Sequence, residues 1–352
     1  MYDGSCGVAL FLSAIERIVG ESGFCTFALA TLHSLREDFK GSISTQIAEG
    51  IGIGGSFGCA SITYILVRIS QFLNLPSLLE DAGNIASRIT PELIAADQRM
   101  GILSGSATTI LGLLALYSQS VDQEILELAI ACGNHLLNSR VVSDSGYRTW
   151  ATLDGKLLTG FSHGAAGIAY ALLRLYKASE ETAFLEAAEE AIAYERSVFI
   201  PEQENWPDFR QSFPKDKPVC MCSWCHGAPG IGLARVATLD ILDTPEIRQD
   251  IEAAITTTLN YGLSDIDHLC CGNMGRVEFL FTAGRKLNRP ELVEAAMKLA
   301  SSVVARAEEK GHYGYGTILD FHPGFFQGAS GIGYQLLRLA YPDQLPSVLL
   351  WE

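Results

Sequence analysis

One short phrase, Gly-x-x-Gly or a close variant followed by an apolar helical pattern, occurs seven times along the 352 residues. Its first glycines are Gly4, Gly55, Gly105, Gly164, Gly227, Gly272 and Gly328. The position three residues on is Gly7, Gly58, Gly167, Gly230, Gly275 and Gly331, with Thr108 in the third copy. Successive copies lie 45 to 63 residues apart, room for one helix out, one helix back and two connections. A unit of that size cannot bury its own apolar face, so copies must stack on one another.

After each phrase the apolar residues recur with a helical period, as in Ile168, Leu172, Leu173 and Tyr176, or Ile332, Leu336, Leu337 and Leu339. Between phrases lie amphipathic stretches, 123–137, 180–200 and 291–308, in which charge alternates with Leu and Ala. The pattern predicts an all-α fold: an α/α toroid of seven helix pairs, Gly-rich helices inside and amphipathic helices outside, running over 1–352 as one domain. The glycines are expected at the starts of inner helices, where a missing Cβ permits tight turns and close backbone approach. If all seven phrases share one end of the ring, the residues just before each glycine converge on a central cavity.

Composition narrows the partners. Apolar residues make up 48% of the chain, yet even the run from Gly7 to Val19 carries Glu16 and Arg17. Nothing approaches the ~18 unbroken apolar residues of a membrane span, and no basic stretch with a cleavage site opens the chain. The chain is expected to be soluble and cytoplasmic. A net charge of −15 disfavours nucleic acid and anionic lipid as partners. Nine cysteines without a secretory signal argue against a disulfide scaffold. Cys6, Cys25, Cys59 and Cys132 read as small core residues.

The other five cysteines fall between Cys220 and Cys271. The fifth phrase reads Ser223-Trp224-Cys225-His226-Gly227 and the sixth Leu269-Cys270-Cys271-Gly272. Repeat register sets Cys225, Cys270 and Cys271 just before their glycines on adjacent inner helices, a candidate zinc site. Three protein ligands would leave the fourth position of a tetrahedral zinc to a substrate. The bland alternative makes the adjacent pair buried hydrophobes, and Cys220 and Cys222 on the preceding loop are rival ligands.

The fourth phrase, Gly160-Phe161-Ser162-His163-Gly164, puts His163 in the register of Cys271. Its near-neutral pKa suits a general acid or base, although a lone histidine beside a glycine more often serves a helix terminus. His226 could be a ligand, a proton donor or a supporting group. Asp267, His268, His312 and His322 read as surface or loop polarity.

SHGAAGIA, SWCHGAPGIG, LCCGNMG, GFFQGASGIG and the opening YDGSCGVALFL together resemble the cyclase domain of class II lanthipeptide synthetases, related to the stand-alone lanthipeptide cyclases. The resemblance covers nearly the whole chain. It implies a seven-repeat toroid with catalytic zinc on Cys225, Cys270 and Cys271, and His163 as catalytic histidine. The three-cysteine set resembles the subgroup associated with broad substrate tolerance. Relatives often carry an aspartate where this chain has Gly101, and Asp97 lies four residues earlier.

The implied reaction adds a peptide cysteine thiol to dehydroalanine or dehydrobutyrine, forming a lanthionine or methyllanthionine ring, with His163 as proton donor and His226 the alternate. The implied partners are a dehydrated precursor peptide and a dehydratase domain or protein. The chain starts inside the first phrase, which reads as an excised domain or a shortened relative. A toroidal glycoside hydrolase would need two cavity carboxylates, and only Asp3 stands in a phrase beside its glycine. A prenyltransferase subunit is a further toroidal alternative. A non-catalytic peptide-binding toroid would use zinc in a closed four-ligand site, completed by Cys222 or His226.

Overall fold

In a computed structural model, residues 1–2, 4–20, 23–55, 57–210, 219–317 and 321–352 are described. In chain order the helices are α1 (Ser5–Val19), α2 (Phe24–Lys40), the short α3 (Ser44–Ile51), α4 (Cys59–Leu73), α5 (Ser77–Ala86), the short α6 (Pro91–Ala95), α7 (Ser106–Ser120), α8 (Gln123–Asn138), α9 (Ala165–Ser179), α10 (Thr182–Ser197), α11 (Ala228–Ala237), α12 (Pro245–Tyr261), α13 (Asn273–Lys286), α14 (Pro290–Lys310) and α15 (Ala329–Ala340). Two-residue strands at Val141–Val142 and Arg148–Thr149 form the one sheet among the described residues.

Helices α1, α4, α7, α9, α11, α13 and α15 each touch the next, and α15 touches α1, so the inner layer closes into a seven-membered ring. Helices α2, α5, α8, α10, α12 and α14 each pack outside the inner helix before them. The toroid is as expected, with one correction. The repeat pattern calls for seven pairs, whereas the described residues hold seven inner helices and six long outer ones.

The +3 glycine has a specific job. A Cβ on Gly167, Gly230, Gly275 or Gly331 would lie 2.0, 1.9, 2.3 or 1.7 Å from the carbonyl oxygen six residues earlier, that of Phe161, Trp224, Leu269 or Phe325. In the third copy Thr108 donates its hydroxyl to that same carbonyl, Ile102 O. The second copy needs a shift of register. Its inner helix is capped by Gly58 rather than Gly55, so its phrase is Gly58 to Ser61, and the Ser61 hydroxyl donates to Gly58 O at 3.0 Å. Gly55 instead takes a positive φ of 72° where a Cβ would meet Leu103 O.

Glycine caps leave the first N–H groups of the inner helices without a side-chain acceptor of their own. Distant residues supply it. Asp97 accepts from Ser106 N at 2.7 Å, Glu195 from Ala166 N at 3.0 Å and Asn205 from Ala228 N at 2.9 Å. The outer helices α8 and α12 use ordinary local caps, Asp122 and Thr244.

Position +6 of the phrase faces the lumen, which the C-terminal tail fills. Tyr64 donates to Glu352 O at 3.0 Å, Tyr170 to Leu350 O at 2.7 Å and Tyr334 to Pro346 O at 3.0 Å, while Ser347 donates to Glu278 at 2.6 Å. Leu345 and Val348 to Trp351 are buried there. The ring therefore has a solid centre.

Several carboxylates away from the phrases are buried and paired. Glu195 and Asp250 flank Arg235, Asp81 pairs with Arg36, and Glu278 holds Arg338. Cys6, Cys59 and Cys132 are core residues as expected, whereas Cys25 is only half-buried.

Candidate metal centre

Six residues that stand two before a capping glycine are tied into a girdle of backbone hydrogen bonds. Leu103 N donates to Ser162 O at 3.0 Å, Ser162 N to Cys225 O at 3.1 Å, Cys225 N to Cys270 O at 3.2 Å, Cys270 N to Phe326 O at 3.0 Å and Phe326 N to Tyr2 O at 3.0 Å. Five bonds thus link six repeats at one end of the ring. Register explains the site: Cys225 and Cys270 hold neighbouring places in the girdle, while Cys271, His163 and His226 occupy the next position, immediately before the glycine.

The sulfurs converge. Cys225 Sγ is 3.3 Å from Cys271 Sγ, Cys271 Sγ is 3.5 Å from Cys270 Sγ, and all three lie within 4.8 Å of one another. This is the one group of three or more candidate metal ligands among the described residues. A zinc–sulfur bond of ~2.3 Å in tetrahedral geometry sets sulfurs about 3.8 Å apart, a few tenths of an ångström beyond these contacts. Their ionisation also asks for a cation. Hydrogen bonds from Cys270 and Cys271 hold the Cys225 thiol well below its ordinary range, against burial. Those same bonds to Cys225, with burial, push Cys270 well up and Cys271 to about 12. The cluster thus favours charge on one sulfur at the expense of the other two, and a divalent cation is what would let all three carry one. The donor set fits zinc.

The rival thiols stay out of the cluster. Cys222 pairs with Gly227 and Cys220 with Pro207 in short backbone bridges. All nine cysteines are free.

His163 lines a cavity of about 850 Å³ together with Tyr2, Phe57, Asp97, Arg99 and Ser104. Burial, then the charges of His226 and Arg210, lowers its pKa to about 4, so the imidazole is neutral at pH 7. Its ring stacks 6.0 Å from that of His226. His226 is buried, its Nε2 3.2 Å from Ser162 Oγ, and burial lowers its pKa as well. Arg210 is held by a fork of bonds to Asp208, 3.0 Å from Nε to Oδ1 and 2.7 Å from Nη2 to Oδ2, and its Nη2 reaches Met221 Sδ at 2.8 Å.

Asp97 lines the same cavity but its carboxylate is occupied. It accepts from the amides of Arg99 at 2.8 Å and Ser106 at 2.7 Å and from the Ser106 hydroxyl at 2.6 Å. A Cβ at Gly101 would stand 3.0 Å from Ser162 O and 3.1 Å from His163 Cα, so this position abuts the histidine loop directly. Asp267 and His268, expected at the surface or on loops, are buried braces. Asp267 accepts from Asn273 and Gly314 N, both at 2.7 Å, and His268 Nδ1 accepts from Cys271 N at 3.3 Å. His312 Nδ1 bonds Tyr313 O, and His322 Nδ1 accepts from Gly324 N, both as loop contacts. Asp3 lies outside the described residues.

Tyr2, Ser223 and Glu195 support the site without a signal of their own in the sequence. Tyr2 donates to Cys270 Sγ at 3.0 Å, and Ser223 Oγ lies 3.2 Å from Cys225 Sγ. Glu195 accepts from Gly160 N at 2.9 Å and so steadies the loop bearing His163. Register could have found Tyr2, since it stands two residues before Gly4.

Fold and site define an α/α toroid with a three-thiol centre at one end of its inner ring. The chain belongs to the lanthionine synthetase C-like protein family, whose model matches residues 1–350. A solved structure of nisin cyclase is similar over 100% of this chain and 91% of that one, with a TM-score of 0.74 and 17% identity. Cellobiose 2-epimerase from Bacillus thermoamylovorans is similar over 89% of this chain and 100% of its own, with a TM-score of 0.57 and 10% identity. A sugar epimerase from a ruminal bacterium matches over 88% and 98%, with a TM-score of 0.55 and 13% identity. At such identities these likenesses speak for the toroid alone.

Proposed function

We propose that this chain is a zinc-dependent lanthionine cyclase, joining cysteine thiols of a dehydrated peptide to its dehydroalanine or dehydrobutyrine residues. Family membership supports the reaction class. The observation that carries the metal reading is the convergence of Cys225, Cys270 and Cys271 within 4.8 Å, with no fourth protein ligand among the described residues. Cys222 and His226, which a closed structural zinc site would need, lie outside that group.

Cys225, Cys270 and Cys271 would hold the ion, and zinc bound there would keep the substrate cysteine as thiolate near pH 7, well below the usual thiol pKa of ~8.5. His163 is the proton carrier in this reading. Neutral at rest, it takes the proton released by the incoming thiol. The sulfur then adds to the β-carbon of the dehydro residue, and the imidazolium returns the proton to the α-carbon, so nothing is oxidised or lost. His226 backs His163 within the ring pair rather than standing on the cavity.

The dehydro residues must come from a dehydratase, on another domain or another protein. Nine free thiols suit a reducing compartment, in keeping with a cytoplasmic enzyme. No helix among the described residues is long and apolar enough to cross a membrane.

Zinc content of wild type and of Cys225→Ala, Cys270→Ala and Cys271→Ala, followed by thiol consumption with a dehydrated peptide, tests this reading. One zinc per chain, lost with ring formation in the variants, is expected. Folded, metal-free wild type that still closes rings would overturn the zinc chemistry.

A further inference from the structure

Tyr2 is bound to this site at three levels. Its backbone carbonyl closes one end of the described girdle, accepting from both Phe325 N and Phe326 N at 3.0 Å. Its ring lies flat on Phe326, centroids 5.2 Å apart and planes 8° from parallel. Its hydroxyl donates to Cys270 Sγ at 3.0 Å, across 268 residues of chain. Tyr2 and His163 both line the same cavity, so the tyrosine touches both a thiol of the cluster and the space a substrate would enter.

We propose that Tyr2 is a positioning residue of the thiol centre, whose hydroxyl hydrogen bond fixes Cys270 Sγ and draws charge from that sulfur when a metal is bound. The inference rests on the metal-centre reading above. Its physical basis is charge crowding: three resident thiolates and a substrate thiolate around one divalent cation leave a net charge of −2. A neutral donor to one resident sulfur relieves part of that charge. Because the donor reaches Cys270 and not the incoming thiol, the substrate sulfur remains the more electron-rich of the two. Groups that hydrogen-bond to metal ligands orient them and tune affinity, typically by 10- to 100-fold.

The test uses the full chain loaded with Co²⁺, whose thiolate-to-metal charge-transfer band reports sulfur electron density. Tyr2→Phe keeps the ring and its stack on Phe326 while removing the hydroxyl. The band is expected to move to longer wavelength and Co²⁺ affinity to fall by about 10-fold or more. Replacing Tyr2 with 3-fluorotyrosine, a stronger donor of nearly the same shape, is expected to move the band the other way. Opposite shifts from two folded variants are not what a purely structural role gives. An unchanged spectrum and affinity in both variants would overturn the proposal while leaving the cyclase reading intact. Wild type that takes up no Co²⁺ would sink the metal reading and this inference together.

Discussion

The amide of Cys225 donates to the carbonyl of Cys270 across 3.2 Å, and this backbone bond sets thiols from adjacent repeats side by side. Because main-chain atoms make the bond, side-chain changes at these cysteines or at Cys271 beside them leave the scaffold standing. Cys271→His is therefore expected to retain one zinc per chain after dialysis, since imidazole is an equally good ligand. Cys271→Ala is expected to lose it. Elemental analysis of the two proteins checks this.

Two glycine substitutions should have opposite signs. Gly331→Ala drives a Cβ to within 1.7 Å of Phe325 O, and the backbone around it must shift. A cost of at least ~1 to 3 kcal/mol is expected, as for overpacking a tight core. Gly83 sits inside α5 with nothing within 4 Å of its Cβ position. Gly83→Ala is expected to stabilise by about 0.5 to 1 kcal/mol. Denaturant melts of the two variants give both signs in one experiment.

Glu195 has no exposed surface and holds Arg235, Gly160 N and Ala166 N. Glu195→Ala leaves the buried Arg235 guanidinium with only the longer Asp250 contact, at 3.4 Å, and strands the two amides, and is expected to cost about 3 to 5 kcal/mol. It should also loosen the loop that bears His163. Urea midpoints measure the first effect, and proton exchange at the amides of Gly160 and Ala166 measures the second.

Acid should open the lumen. Burial opposes ionisation of Glu278, but the charge of Arg338 and hydrogen bonds from Arg338, Ser347 and Gln335 outweigh it and hold the carboxyl below its ordinary value. A lowered folded-state pKa contributes stability above the unfolded value of about 4.3, and the contribution is lost as pH falls through the folded value. Glu278→Gln is therefore expected to flatten the acid limb of the stability curve, read as melting temperature between neutral pH and pH 3.

Legibility followed the range of the interactions. The toroid, the outer helices and the gathering of Cys225, Cys270 and Cys271 could be read from the chain, because each depends on a local pattern repeated at a near-constant interval. The same register contained Tyr2, two residues before Gly4, yet its phenol carries no chemical signature until Cys270 is beside it. By spacing alone Gly55 reads as a cap, because Gly55 and Gly58 stand as far apart as the glycines of true phrases. Only the carbonyl of Leu103, close against Gly55, distinguishes the two.

By itself, then, the sequence determined which helices line the ring and which residues occupy its mouth, since periodicity and glycine spacing are properties of neighbours along the chain. Tertiary structure alone decided that Glu195 and Glu278 are buried and paired, that the tail from Leu345 to Trp351 fills the lumen, and that Asp97 is an occupied helix cap. Each of those depends on a partner brought from a distant part of the chain, and the free energy of burying a charge or a carbonyl is set by whether that partner arrives.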